Sequence, residues 1–496
     1  MQTEVLIAGG GYAGLSTAMY LAQHGTQALL VERHETTSPH PKASGQTWRA
    51  MELYRFAGID EEVRRASLRT RDDVLISTGT SLSGPLHRIS SPGYDPDVRK
   101  ATALRSSPAG QDAVEPILAR RAAELGADVR FGVELVSFDQ DDDGVRALIR
   151  DRSTGVETQV QAGYLVAADG ARSPIRTRLG IPFDGEGGLH HMIGAVFDAD
   201  PIEALPHHEY HICFLQNGEL SGMVTNSERP GRYILGLTYD PARGESPDDF
   251  TTQRITDVIR ELTGRTADIV GIAPWEIAAK VARTFRDKRI FLTGDAAKVA
   301  PPSGGQGGNT AVGDGNNLAW KLSAVLRGEA GEELLDTYEV ERRPIAEAVV
   351  DLSMRNLSVL TDPVAGFAEL TASAAAIKLV LGFQYRSSAV SNEDDDLSLT
   401  EDPGTPSGRP GFRAPDQTGQ ISHLLGNGWI LLGRTGNWAS AAEDCGITFR
   451  LLPDLDAAYR QATLVRPDGI VAWRSDSPHG KAAELRAVLD RLLSRT

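Results

Sequence analysis

Residues 4–33 read EVLIAGGGYAGLSTAMYLAQHGTQALLVER, and the order of these parts decides the fold. Residues 4–8 are a short apolar run with the pattern of a buried strand. Residues 12–24 carry apolar groups at helical spacing with Gly25 as a stop, and residues 27–31 form a second strand run ending at Glu32. This is a βαβ unit. Gly9, Gly11 and Gly14 stand in G-x-G-x-x-G spacing. The first allows a tight turn, the second lets a pyrophosphate approach bare backbone, and the third lets helix and strand pack closely. Phosphates there meet free amides and the positive dipole end of the helix. Glu32 then stands where it can accept from both hydroxyls of an adenosine ribose. A Gly-rich turn is the ordinary alternative, but two strands, a helix and the acid together favour a dinucleotide.

The rest of the composition bounds the problem. A chain of 496 residues is long enough for two or three domains, and 41% hydrophobic with 24% charged residues is typical of a soluble globular protein. The net charge of −16 has no compensating basic run, so neither nucleic acid nor an anionic membrane is an expected partner. Cys213 and Cys445 are the only cysteines, and neither has metal-ligand or CxxC spacing, which fits a reducing cytoplasm. No basic region precedes a long apolar run at the N-terminus, and the most apolar later stretch, residues 365–383, is interrupted by Glu369 and Lys378. Neither a signal peptide nor a membrane span is therefore expected.

Two distant segments repeat the strand-then-acid plan. AGYLVAADGARSPIR, residues 162–176, places Asp169 after a strand, and RIFLTGDAA, residues 289–297, places Gly294 and Asp295 likewise. Doubly wound sheets bind ligands at the carboxyl ends of their strands. Alone, Asp169 reads as an Asp-Gly turn and Asp295 as a helix cap. With the opening fingerprint they make a pattern spread over nearly the first 300 residues. Three stretches carry a resemblance: GGGYAG at 9–14, ADGARSPIR at 168–176 and GDAAKVAPPSGGQGGNT at 294–310. On these the chain resembles the single-component flavoprotein aromatic hydroxylases typified by para-hydroxybenzoate hydroxylase. PHPKASGQTWRAMELYRFAGI, AVFDAD, RPGFRAP and LVRPDGIVAWR look most like the aromatic polyketide hydroxylases of the anthracycline type, such as aklavinone hydroxylase, over the whole chain.

The resemblance implies an α/β fold in three parts: a Rossmann-type FAD-binding domain of the para-hydroxybenzoate hydroxylase type, a β-sheet substrate domain and a C-terminal thioredoxin-like domain. Residues 1–76, 101–188 and 281–384 are expected to build the first, 77–100 and 189–280 the second, and 385–496 a linker with the third. The run Pro301, Pro302, Gly304, Gly305, Gly307 and Gly308 offers a stiff turn and then backbone without side chains, against which a flat ligand can lie. A helix from about Asn309 to Leu326 points its N-terminal amides at that ligand, where a reduced isoalloxazine carries negative charge. The resemblance implies the same placement, with backbone near Gly308 and Asn309 at the ring and Asp295 at the ribityl chain. It also implies cofactor contacts at Tyr12, Ala13, Arg33, Lys42 and Gln111, each otherwise read as an ordinary loop or surface residue. Lys298 stands where many relatives carry His and is read as a subfamily trait.

Runs such as MIGAVFDAD, EYHICFL and GRYILGLTYD read as strands of a sheet roofing the flavin, a natural place for a bulky, flat, apolar substrate. His190, His191, His207, His208 and His211 lack the spacing of a metal site, and none is expected. Tyr210 or His211 is a candidate for helping to deprotonate a phenol, with a cross-strand structural role as the ordinary alternative. The tail has an acidic linker, a helical stretch near 438–444 and a hairpin turning at Pro467 to Gly469; lacking CxxC, it is expected to serve packing or oligomerisation.

By family chemistry, NADPH reduces FAD, dioxygen adds at flavin C4a, and the resulting hydroperoxide passes an electrophilic oxygen to a phenolic ring. The expected partners are a small aromatic substrate and dioxygen, the expected assembly a monomer or homodimer, and the expected setting antibiotic biosynthesis. The alternatives are an FAD-dependent epoxidase or Baeyer–Villiger oxygenase on a related substrate, or a non-catalytic flavin- or polyketide-binding protein. A flavin halogenase is disfavoured because no Trp-x-Trp-x-Ile-Pro segment occurs.

Overall fold

A computed structural model describes residues 1–38, 43–69, 74–89, 98–218, 220–360, 374–393, 398–454 and 458–495. The opening βαβ unit is present as strand Gln2–Ala8, helix Tyr12–Gln23 and strand Ala28–Glu32. All three strands around it are parallel: Gln2–Ala8 lies between Ala28–Glu32 and Glu157–Ala167, and Ile290–Leu292 continues the sheet beyond Glu157–Ala167. Asp128–Phe131 extends it on the other side. Val5, Leu6, Ile7, Leu29, Leu30, Leu165, Val166 and Phe291 are buried, as central strands covered on both faces require.

A second sheet of eight strands runs Lys298–Val299, Asp268–Ala282, Phe183–Asp198, Arg232–Tyr239, Leu220–Asn226, Tyr210–Asn217, Val74–Gly79 and His87–Ile89. Its first strand leads directly into the Pro301–Gly305 turn, so this sheet and the Gly-rich loop are joined by covalent chain. One face of the sheet is closed by helix Thr252–Thr263: Cys213, Leu215, Val224, Leu235 and Leu237 cluster with Ile255, Ile259 and Leu262. Strand alternation turns Ile212, Phe214, Met223 and Ile234 to the opposite face, where they are only half-buried.

The C-terminal unit is a four-stranded sheet in the order Thr448–Leu451, Ile430–Gly433, Ala462–Val465, Val471–Ser475, with one parallel and two antiparallel pairings. Helix Ala439–Asp444 makes the parallel crossover and helix Ala482–Leu492 packs behind. The hairpin between its last two strands drives Arg466 into the part built on the parallel sheet. There Arg466 is fully buried and donates to both oxygens of Glu341, at 2.6 and 2.9 Å, while Lys321 Nζ reaches Glu341 at 2.7 Å. Asn317 Nδ2 joins the cluster, donating to Glu341 and to Asp468 of the hairpin. Among the described residues no helix is long and apolar enough to cross a membrane.

Removing one partner from such a cluster leaves buried charge uncompensated. Arg466→Met is expected to destabilise the protein by about 3–5 kcal/mol, read from the first transition in urea. Burial alone would raise the Glu341 carboxyl, but Arg466 and Lys321 outweigh it and hold it well below the usual range. Its stabilising contribution is therefore complete at neutral pH and lost as pH falls through the depressed value, so Glu341→Gln should also flatten the acid side of the stability curve.

Candidate functional site

The three Gly-bearing segments meet at the carboxyl ends of the parallel strands. Gly9 has φ of 112°, and a Cβ there would sit 2.2 Å from the Ala168 carbonyl oxygen. A Cβ on Gly14 would sit 1.9 Å from the Gly9 oxygen. Both glycines are therefore demanded by close backbone approach. Gly11 caps helix Tyr12–Gln23 and leaves its first amides without side-chain cover. Tyr12 and Ala13 knit this loop to the distant one: a Cβ on Gly308 would meet the Tyr12 ring at 2.8 Å, and one on Gly294 would meet Ala13 Cβ at 2.7 Å.

Glu32 is held at the mouth of the first loop. Gly10 N–H donates to its Oε2 at 2.6 Å, and His34 N–H donates to Oε1 at 2.9 Å with the His34 ring at 2.6 Å. With the two His34 contacts on Oε1, it is Oε2 that keeps a lone pair for a hydroxyl. Arg33, next in the chain, is exposed. Lys42 lies outside the described residues.

Asp295 is exposed in the short turn Gly294–Ala296, just past strand Ile290–Leu292. Farther along, Gly305 N–H closes a turn onto the Pro302 oxygen at 3.0 Å, and Gly305, at φ 64°, starts helix Gln306–Leu326. That helix begins three residues earlier than the apolar spacing indicates, so Gly307 and Gly308 lie in its first turn. Opposite runs the strand Ser44–Gln46, tied across by Asn309, whose Nδ2 donates to the Gly45 oxygen at 3.2 Å and whose Oδ1 accepts from Thr47 N–H at 2.8 Å. Gln111 opens helix Gln111–Glu124 beside this strand, its N–H donating to the Ala43 oxygen at 2.8 Å and its Nε2 to Glu115 at 2.5 Å. Beside this strand, Gly305, Gly307 and Gly308 leave bare backbone at the helix start, with open space at Gly307. Such backbone fits a flat ring, as the amides at Gly9–Gly14 fit a pyrophosphate and Glu32 a ribose: the donor set of an FAD site.

Asp169 is placed differently from the other acids. Its backbone adjoins Gly9, but its carboxylate accepts from Ser173 Oγ at 2.6 Å and Ile175 N–H at 3.1 Å, capping helix Pro174–Arg178. An Asp ahead of a helix start takes this local role because free amides lie within reach of its short side chain. Asp314 is the residue that sequence reasoning passed over. Fully buried, it accepts from Lys298 Nζ at 2.8 Å and Arg342 Nε at 2.7 Å, and from Gly294 N–H at 3.3 Å. Burial pushes its carboxyl up, but the two cations prevail and hold it below the usual range. Its one sequence signal is an acid inside the otherwise small and apolar face of GDGNNLAW.

The half-buried sheet face is tied to this side of the molecule through Arg69. Tyr210 lies on it with its ring 4.1 Å from the Arg69 guanidinium carbon, and Arg69 in turn donates to the Pro108 oxygen of the flavin side at 2.9 Å. Gly194 and Gly236 pair across strands at its centre, followed in the same row by Met223 and Phe214. His211 points the other way, buried on the helix-covered face, with Nε2 2.9 Å from Ser77 Oγ, and burial lowers its pKa. It is a cross-strand tie. Among the described residues no group of His, Cys, Asp and Glu could hold a metal.

Known proteins resemble the chain over its whole length. Residues 2–353 match the family described as FAD binding domain, and residues 407–496 the one described as aromatic-ring hydroxylase, C-terminal. The aklavinone 12-hydroxylase of Streptomyces purpurascens is 42% identical, covering 100% of this chain and 99% of its own. The tetracenomycin A2 monooxygenase-dioxygenase of Streptomyces glaucescens is 36% identical, covering 100% and 98%. The crystal structure of aklavinone-11 hydroxylase in a ternary complex with FAD and aklavinone superposes with a TM-score of 0.87 at 40% identity, covering 99% of each chain.

Two variants test the site. Gly14→Ala, with its Cβ driven into the Gly9 oxygen, should give protein that retains no FAD after gel filtration. Glu32→Gln keeps the shape but removes the charge, and should weaken FAD binding about tenfold, a loss of roughly 1.4 kcal/mol, in a flavin fluorescence titration.

Proposed function

The chain belongs to the family of FAD-dependent aromatic-ring hydroxylases, and from that premise we propose that it hydroxylates the phenolic ring of a polycyclic, anthracyclinone-like polyketide, with NADPH as reductant and dioxygen as the oxygen source. It is a flavin-dependent monooxygenase. The observation that carries the substrate reading is the apolar sheet face of half-buried Ile212, Phe214, Met223 and Ile234. A small polar substrate would have no use for that much apolar surface. The relatives named for aklavinone and tetracenomycin support the same class.

Bound FAD supplies the activation of dioxygen. The chain's own residues bind, orient and shield. Gly9, Gly11 and Gly14 admit the pyrophosphate to the helix amides, Glu32 takes the ribose, and Asp295 stands at the carboxyl end of its strand for the ribityl chain. The first-turn amides of helix Gln306–Leu326 would favour negative charge on a ring held beside them. The apolar sheet face would exclude water while it holds the substrate's rings, so that reducing power goes to the substrate rather than to peroxide. The domain division stated from sequence, a cytoplasmic setting, a place in antibiotic biosynthesis and a monomer or homodimer complete the reading.

Stopped-flow mixing of the FAD-loaded protein with NADPH tests this. An anthracyclinone should accelerate flavin reduction and yield a product with one added oxygen. Reduction indifferent to the ligand, with no oxygenated product, would contradict it. The sheet face makes a second demand. Neither Gly194 nor Gly236 has positive φ, and a Cβ on Gly236 would meet the flexible Met223 side chain at 3.1 Å, so the fold tolerates a side chain there. Gly236→Leu should raise KM for a four-ring substrate by about tenfold, one hydrophobic clash of roughly 1–3 kcal/mol, and leave KM for a single-ring phenol nearly unchanged.

A further inference from the structure

Three knots of buried charge border one cavity. In the first, Glu52 accepts from Arg413 at 2.7 Å and from Arg49 at 3.1 Å. In the second, Asp314 accepts from Lys298 and Arg342, and in the third Glu341 and Asp468 share Arg466, with Lys321 on Glu341. The third is balanced, but the first two each set two cations on a single carboxylate. The other donors of those guanidinium groups go to neutral oxygens. Arg49 donates to the Asp468 carbonyl at 2.6 Å, Arg413 to the Ala101 carbonyl at 2.7 Å, and Arg342 to Tyr385 Oη and the Thr310 carbonyl. Asp416, which pairs beside Thr102, is committed to the N–H groups of Ile421 and Ser422. Each of the first two knots therefore carries a positive charge in excess, in a place where uncompensated charge is costly.

The cavity has a volume of about 40 Å³, and every knot contributes to its wall: Arg49 from the first, Arg342 from the second, Asn317 and Asp468 from the third. Leu53, Ile345, Val349, Leu379 and Phe383 make the rest of the wall apolar. A single water needs roughly 10–15 Å³, so the space suits a few waters or one small ion. Two side chains in the wall have a donor to spare. Asn316 is only 3% exposed, yet its side-chain amide makes no hydrogen bond among the described residues. Tyr385, equally buried, accepts from Arg342 at 2.7 Å and keeps its own hydroxyl proton for another acceptor. Excess positive charge and spare donors thus converge on an internal space, and what both require is an anion.

We propose that this cavity binds one small monovalent anion, a halide such as chloride. The volume admits a monatomic ion, and the apolar part of the wall selects one that is weakly hydrated, because it cannot replace the water shell of a divalent oxyanion. Asp468 does not oppose it, since its two carboxylate oxygens are taken by Arg466 and Asn317. Gln306, Asn309 and Thr310, in the first turns of helix Gln306–Leu326, stand in the same wall. The bound anion therefore ties the start of that helix to Arg49 on helix Trp48–Phe56 and to Arg342 on helix Thr337–Arg355. The site is independent of the reaction proposed above and of its substrate.

The test melts the FAD-loaded protein at fixed ionic strength while chloride or bromide replaces gluconate, an anion too large for the cavity. Tm should rise steadily with the logarithm of halide concentration once the site begins to fill. Crystals grown in bromide should show an anomalous-scattering peak inside the cavity, between Arg49 and Asn316. Asn316→Asp places a fixed carboxylate in the same volume, so it should abolish both the halide-dependent rise and the peak. A bromide peak absent from the wild-type cavity would overturn the proposal, whatever the melting curves show and whether or not the variant folds. A halide-dependent rise that persists unchanged in Asn316→Asp would overturn it as well, because the stabilising ion would then lie elsewhere.

Discussion

One carboxylate, Asp314, holds the flavin side of the molecule in register. It sits inside helix Gln306–Leu326 and is met from two sides by Lys298 and Arg342. Through Gly294 N–H and Lys298 it fixes the strand-to-loop segment that presents Asp295. Through Arg342 it fixes the long helix Thr337–Arg355, and Arg342 passes the constraint on to Tyr385 by a 2.7 Å bond. One turn farther on, Asn317 and Lys321 repeat the device with Glu341, Arg466 and Asp468. The helix that opens at the Gly-rich loop is thus pinned by buried charge along its inner side. Such clusters cost desolvation and add little net stability, but they punish any other arrangement severely. The C-terminal unit, through Arg466, is part of that pinning rather than an appendage.

On this frame the site follows from backbone proximity. Gly9 against Ala168 and Gly14 against Gly9 bring strand and helix so close that side chains are excluded, and the same exclusion leaves amides bare for phosphate. Gly308 against Tyr12 repeats it at the ring end. The second sheet turns one face to its own helix and leaves the other half-buried, so strand alternation alone sorts its residues into core and open face. The two walls are joined at Arg69, which holds the sheet to the flavin side by hydrogen bonds to both.

What was legible in the sequence is what backbone geometry demands locally. Gly9, Gly11 and Gly14 announce themselves because only glycine survives those contacts, and the strand-acid motif at Asp295 is short enough to read directly. Asp169 shows the limit of that logic, since a helix start within six residues claimed its carboxylate. The early start of helix Gln306–Leu326 was hidden by its glycines, which carry no apolar periodicity. Asp314 with Arg342 and Glu341 with Arg466 were not legible, because partners 28 and 125 residues apart leave no spacing signal. Which of the two faces His211 takes and which Tyr210 takes likewise depends on pairing with Val74–Gly79, which the sequence does not display.

The most direct measurement supplies the FAD-loaded protein, NADPH and an anthracyclinone with heavy-oxygen dioxygen in ordinary water, and weighs the product. The account predicts a hydroxylated ring whose new oxygen is the heavy isotope. A product carrying oxygen from water, or substrate returned unchanged while NADPH is consumed, would contradict it.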